Sequence, residues 1–248
     1  NGKTVIFITH KLEEIKQVAD RCGVMRKGKL VAVKDVASVS TQELANFMVG
    51  RVVALNVEKK KAVFGKPVLE VNHLSVKNEA GFESLKDVSF TVHAGEIFAV
   101  AGVSGNGQNE LAEALAGLQK ASAGSILLNG KDITTDSVRS RALSGISYIP
   151  DDRQTRGLVV DMNITENLCL KNYFLEPYSH NKVLNRSSME EKADEMILAH
   201  DIRSGQGKNT IVRSMSGGNQ QKIIIAREIE ADSDLMIFMQ PTRGVDIG

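Results

Sequence analysis

The sequence contains no tryptophan, and aromatic residues make up only 4% of its 248 positions. Stacking platforms for nucleobases along a strand therefore cannot be assembled in number, and a formal net charge of +1 supplies no field that would gather a polyanion. Nucleic acid is not expected as a partner. There are two cysteines, Cys22 and Cys169, too isolated for a disulfide framework or a metal-ligand spacing, and this fits a reducing compartment. No metal centre is expected from side chains of this chain. No apolar run approaches the roughly 20 residues that a membrane-crossing helix needs, and no signal-peptide pattern is visible. A role at a membrane must then pass through a partner. What the chain does have is 42% hydrophobic and 25% charged residues, enough to bury a full core in one or two domains.

The stretch Glu96 to Gly117, EIFAVAGVSGNGQNELAEALAG, is the most informative. Ile97 to Ala101 reads as a buried strand, Gly102 to Gly107 as a glycine turn, and Leu111 and Leu115 with the intervening alanines as a helix. Strand, glycine loop and helix in that order form a phosphate-binding loop, in which glycines permit backbone conformations that aim several N–H groups at one anion. The candidate ligand-facing residues are Gly102, Ser104, Gly105, Asn106, Gly107, Gln108 and Asn109. The position that calls for lysine holds Gln108, and the one that calls for a hydroxyl holds Asn109. On these residues alone, a tight structural turn remains an equal reading.

Around this stretch the pattern is that of an α/β protein. Val5 to Ile8 is an apolar run without alternation, suited to a strand buried on both faces, and Thr9-His10 ends it. A helix from Lys11 to Ala19, a hairpin from Gly23 to Val33, and a helix to Val49 with Thr41 as N-cap follow. From Arg51 to Pro67 the pattern dissolves into a basic linker containing Glu58 to Lys61. Strands are expected at 68–76 and 88–92, with Phe82 either a hydrophobic plug or a platform for an adenine. A strand over 124–130, a helix over 137–144 and a strand over 146–149 lead to Pro150-Asp151-Asp152-Arg153. Between Ile164 and Arg213 helices and polar loops form an insertion, and Leu235 to Phe238 is another strand.

Ser214 to Lys222, SMSGGNQQK, places two glycines behind a candidate N-cap, Ser216, ahead of a buried helix, a second place where helix N–H groups face out. This run closely resembles the signature motif of ATP-binding cassette (ABC) ATPases, in the form found in importers of sugars and nucleosides. Pro241 to Asp246 resembles the family's lead into the dimer-contacting loop, Thr9-His10 its switch histidine, and Pro150 to Arg153 the variant glutamine-loop region. The resemblance implies a P-loop NTPase core with a mainly parallel sheet, an antiparallel β subdomain and a helical subdomain. It implies ATP as ligand, with Ser216, Gly217, Gly218, Asn219 and Gln220 contacting the nucleotide of a facing cassette. The order of motifs implies the tail of a first cassette over 1–66 and most of a second over 67–248. The implied partners are membrane permease subunits, an extracytoplasmic binding protein and the chain's own first cassette, at the cytoplasmic face of the membrane.

Where the family places an aspartate and a glutamate after the last strand, Met239 and Gln240 stand. With Gln108 and Asn109, the second cassette thus lacks the phosphate-clamping cation, the magnesium acid and the base. The implication is a site that binds nucleotide without hydrolysing it, with Mg²⁺ only at the first cassette's site, to which His10 belongs. An alternative from another class is a soluble ABC-superfamily module for regulation or assembly. A final expectation concerns strand order: Val5 to Ile8 fills a lane between Ile97 to Ala101 and Leu235 to Met239.

Overall fold

The computed structural model describes residues 2–54, 61–78, 80–103 and 105–242. The chain divides into two compact units, one reaching Lys61 and the other spanning Ala62–Gly244.

In the first unit, helix α1 (Leu12–Val18) precedes strands β1 (Arg21–Arg26) and β2 (Lys29–Asp35), an antiparallel hairpin turned at Lys27-Gly28, and then helix α2 (Thr41–Val49). Leu12, Ile15, Val24, Val36, Val39, Leu44 and Ala45 form its core. The N-cap of α2 is Ser40, one residue before the expected Thr41. Ser40 Oγ accepts from Glu43 N, and Glu43 Oε2 accepts from Ser40 N, a reciprocal capping box that fixes this boundary.

The second unit begins with β3 (Pro67–Lys77) and β4 (Glu83–His93), followed by helix α3 (Gln108–Ala116) and strands β5 (Ala121–Leu128) and β6 (Lys131–Asp132). These strands make an antiparallel sheet in the order β4-β3-β5-β6. Leu69, Val71, Leu74, Val76, Ile126 and Leu128 point from it onto Leu111, Ala114 and Leu115 of α3 in one core. Helix α4 (Val138–Leu143) leads to β7 (Ile146–Ile149), and a π-helical turn, Arg153–Gly157, leaves that strand. Helix α5 (Ile164–Cys169), the short β8 (Ser179–His180) and β9 (Val183–Leu184), α6 (Arg186–Ala199) and α7 (Gly217–Ile229) complete the helical part, and β10 (Leu235–Phe238) returns parallel to β7. Ile149, Ile164, Leu168, Ala193, Met196, Ile223 and Ile224 form the second core. No helix of the described residues is long and apolar enough to cross a membrane.

Two expected strands are not formed. Ile97 to Ala101 is irregular, with Ile97 75% exposed, and Val5 to Ile8 is irregular, with Ile8 98% exposed. Among the described residues β10 has β7 as its one ladder partner, and neither apolar run pairs with either of these strands. The expectation that Val5 to Ile8 fills a lane between the other two is therefore overturned. Phe98 instead stacks on Phe90 of β4, ring centroids 4.9 Å apart.

Candidate functional site

The glycine loop is positioned by α3 and by the start of β4. Gly105 and Gly107 have φ of 93° and 91°, a region that favours glycine, and a Cβ on Gly107 would come within 2.6 Å of the Ser84 carbonyl oxygen. That approach seats the helix start directly on β4. Leu111 N then donates to Gly107 O at 2.9 Å, and no side chain caps the first turn of α3. The far end of α3 is tied down by a residue the sequence reading missed. Arg141, buried on α4, donates from Nη1 to the carbonyls of Ala114 and Leu115 at 2.6 and 2.9 Å and from Nη2 to Thr134 O at 2.8 Å. The Ala114 and Leu115 carbonyls belong to the last turn of α3, where helix carbonyls lack intrahelical donors, and Ala114 O accepts from Gly117 N as well.

Gln108 turns back into the loop. Its Nε2 donates to Val103 O at 3.1 Å, and a Cβ on Gly102 would run into the same amide. The side chain is a neutral donor held by the loop's own carbonyl, where a lysine would carry a charge toward phosphate. Asn109 and Asn106 are exposed, and Ser104 lies outside the described residues. Phe82, 72% exposed, ends a turn in which Asn78 Oδ1 accepts from Phe82 N at 3.0 Å. It precedes by two residues the Ser84 whose carbonyl approaches Gly107.

At the second helix start, Ser216 is the N-cap of α7 by conformation, but its side chain accepts no backbone N–H. This corrects the expected capping role: Asn219 Nδ2 donates to Ser216 Oγ at 3.0 Å instead. Gln220 is buried, donating from Nε2 to Val212 O at 3.0 Å. A Cβ on Gly217 would run into the Arg153 guanidinium, and Gln154 Nε2 donates to Gln220 Oε1 at 3.2 Å. The turn after β7 is thus packed against the start of α7. The same turn reaches the glycine loop's helix, because Arg156 is ion-paired with Glu113 of α3. Gly218 has open space at its Cα. A groove of about 680 Å³ opens beside Ser216, lined also by Arg203, Thr210 and Met215.

Behind these loops lies a polar junction that sequence reasoning also missed. Glu228, 1% exposed, accepts from Lys171 Nζ at 2.7 Å, from Arg227 Nε at 3.0 Å and from Tyr148 N at 3.1 Å. Arg227 also donates to the Gly157 and Asn167 carbonyls. The signal available was an Arg-Glu pair inside the apolar helix KIIIAREIE. Burial of the Tyr148 ring, with the Glu113 and Asp151 carboxylates adding to it, pushes its phenol up to about 12.

After β10, Met239 N donates to Ile149 O at 2.8 Å, extending the parallel ladder, and neither Met239 nor Gln240 carries a carboxylate. Among the described residues no group of three or more His, Cys, Asp or Glu could hold a metal ion. His10 is exposed in the first unit, and the residues 243–248 of the expected dimer-contacting loop lie outside the described ones.

A glycine loop opening α3, a second glycine-led helix start at α7 and a parallel β7–β10 pair beside an antiparallel sheet define an α/β P-loop nucleotide-binding cassette. Solved structures agree on the fold. A nucleotide-free ATP-binding cassette from an ABC transporter superposes with a TM-score of 0.59 over 73% of this chain and 71% of that one, at 22% identity. A bacterial Atm1-family ABC exporter with ATP bound gives 0.57 over 82% of this chain and 35% of that one, also at 22% identity. The family profile described as ABC transporter matches residues 85–243, and the chain belongs to that family. Among curated relatives, the guanosine import ATP-binding protein NupO of Bacillus subtilis is 47% identical over all of this chain and 48% of its own length. The nucleoside import ATP-binding protein NupA of Lactococcus lactis is 44% identical over all of this chain and 49% of its own. The glucose import ATP-binding protein TsgD13 of Haloferax volcanii is 40% identical, again over all of this chain and 45% of its own. The chain spans about half the length of the curated relatives it matches.

Proposed function

We propose that this chain is part of the ATP-binding subunit of an importer for nucleosides or simple sugars. In this reading residues 1–66 are the tail of a first cassette and 67–248 most of a second, which binds nucleotide without hydrolysing it. The carrying observation is the chemistry around the two helix starts. Gln108 and Asn109 replace a cation and a hydroxyl, Met239 and Gln240 replace two carboxylates, and yet the run from Ser216 to Gln220 is intact. A cassette of this kind contributes its signature to a neighbour's ATP and leaves its own phosphate loop as a binding surface. Mg²⁺ would then serve the first cassette's site, with His10 there. The relatives' names support nucleosides or sugars as cargo; permease subunits, an extracytoplasmic binding protein and a position at the inner membrane face complete the proposed setting.

Two measurements test this reading. The isolated chain should show no Mg²⁺-dependent ATP hydrolysis above background, while a fluorescent ATP analogue should still bind and be displaced by ATP. A clean preparation that turns over ATP, with the activity removed by Gly107→Asp, would overturn the non-hydrolytic assignment. Co-purification of the complete subunit with a permease separates the importer reading from a soluble ABC module.

A further inference from the structure

We infer that Asn219 is a positioning residue for Ser216: it holds the serine hydroxyl as an outward hydrogen-bond donor and keeps it from capping its own helix. The inference rests on the signature reading above and assigns the device that readies that serine for an anionic ligand of the phosphate class.

A serine at an N-cap ordinarily accepts a backbone N–H from the first turn of its helix. Other helices of this chain behave that way. Ser40 accepts from Glu43 N, Ser137 from Ser140 N and Asn163 from Glu166 N, each three residues on. Ser216 has the same extended backbone, with φ −65° and ψ 152°, yet its side chain takes no such bond. What has displaced it is the Asn219 amide at 3.0 Å.

The direction of that contact follows from a second one. Arg203 N lies 2.8 Å from Asn219 Oδ1, and a backbone N–H can only donate. The oxygen end of the amide is therefore committed to Arg203, and the NH₂ end faces Ser216. Ser216 Oγ is then an acceptor from Asn219, and its own hydrogen remains free to be given away from the helix. The first-turn N–H groups also keep no side-chain acceptor. Hydroxyl and amides thus form one set of donors with the polarity a phosphate oxygen needs. An aspartate at 219 could not do this, because it has nothing to donate and would draw the hydroxyl onto itself.

The test uses the ligand-free chain and amide hydrogen exchange read at residue resolution by NMR. In Asn219→Ala the released hydroxyl should turn back and cap the helix, slowing exchange of the backbone N–H at position 219 roughly fivefold to tenfold. The slowing should vanish in Ser216→Ala/Asn219→Ala, which separates capping from the better helix propensity of alanine. Ser216→Ala alone should leave that exchange at the native rate, since the native serine caps nothing, and this arm holds even if the Asn219 variants fold poorly. Faster exchange in Ser216→Ala, or unchanged exchange in Asn219→Ala, overturns the proposal. No nucleotide enters these measurements, so they stand apart from failure of the ATP-binding reading, which the binding assay above would register.

Discussion

Glu113, on the helix that opens from the glycine loop, is ion-paired with Arg156, in the turn that also packs against α7. The turn carries contacts in both directions: Arg153 covers Gly217, Gln154 bonds Gln220, and Ile224 fills the space beside Gly157. The two glycine-led helices therefore share one five-residue connection, which meets α3 at Glu113 and α7 at its start and at Ile224. A second junction, at Glu228, joins β7 to α7 from behind. The two differ in exposure, Arg156 at 48% and Glu228 at 1%, and that difference sets what each is worth.

Glu228→Ala should lower unfolding stability by about 3 to 5 kcal/mol, because it leaves the buried Arg227 guanidinium without its counter-charge. Glu113→Gln removes a pair whose arginine is half in water, and should cost about 0 to 1 kcal/mol. Urea midpoints of the two variants against the native chain measure both. Similar losses would show that burial does not separate the junctions.

Tyr148 supplies a pH test. Burial raises its phenol from 10.0 to about 12, so the folded state holds this proton more tightly than the unfolded chain. The associated stability is complete below pH 10 and is lost as pH rises from 10 to about 12. An alkaline titration should show a late phenolate step near pH 12, and Tyr148→Phe should remove that step and flatten the fall of Tm. An alkaline Tm profile identical in Tyr148→Phe would contradict the assignment.

Most of the architecture was legible in the sequence because it is local. The apolar spacing of Leu111 and Leu115, the alternation around Leu69 and Val71, and the turn at Lys27-Gly28 each follow from neighbours in the chain, and the structure forms α3, β3 and the first hairpin there. Ile97 to Ala101 and Val5 to Ile8 failed for the converse reason. An unbroken apolar run specifies burial, but a strand also needs a ladder partner, and that partner is a property of the sheet. The candidate ligand residues were legible as types and spacings. What holds them was not: Arg141 under α3, Asn219 under Ser216 and Glu228 beneath Tyr148 act through contacts whose partners lie elsewhere in the chain or, for Asn219, through a choice between two local acceptors.

The last prediction separates the two helix starts by function, within a complete subunit assembled with the permease that the proposed function calls for. If the signature serves the ATP of the facing cassette, Ser216→Arg places a long cation where a donor set should meet phosphate, and turnover should fall by about 10²-fold or more, the scale for losing one preorganised donor. The damage would appear although, on the proposed function, the loop of the same cassette does not hydrolyse its nucleotide. Gln108→Ala removes a neutral amide bonded to Val103 O, a contact internal to the loop, and turnover should stay within about threefold of native, the scale of one neutral hydrogen bond. Nucleotide binding to the isolated chain should respond in the opposite order: Gln108→Lys should tighten it, by supplying the charge the loop lacks, and Ser216→Arg should leave it unchanged. Equal losses of turnover in Ser216→Arg and Gln108→Ala would mean that the two helix starts serve the same nucleotide, and the division of labour between them would be wrong.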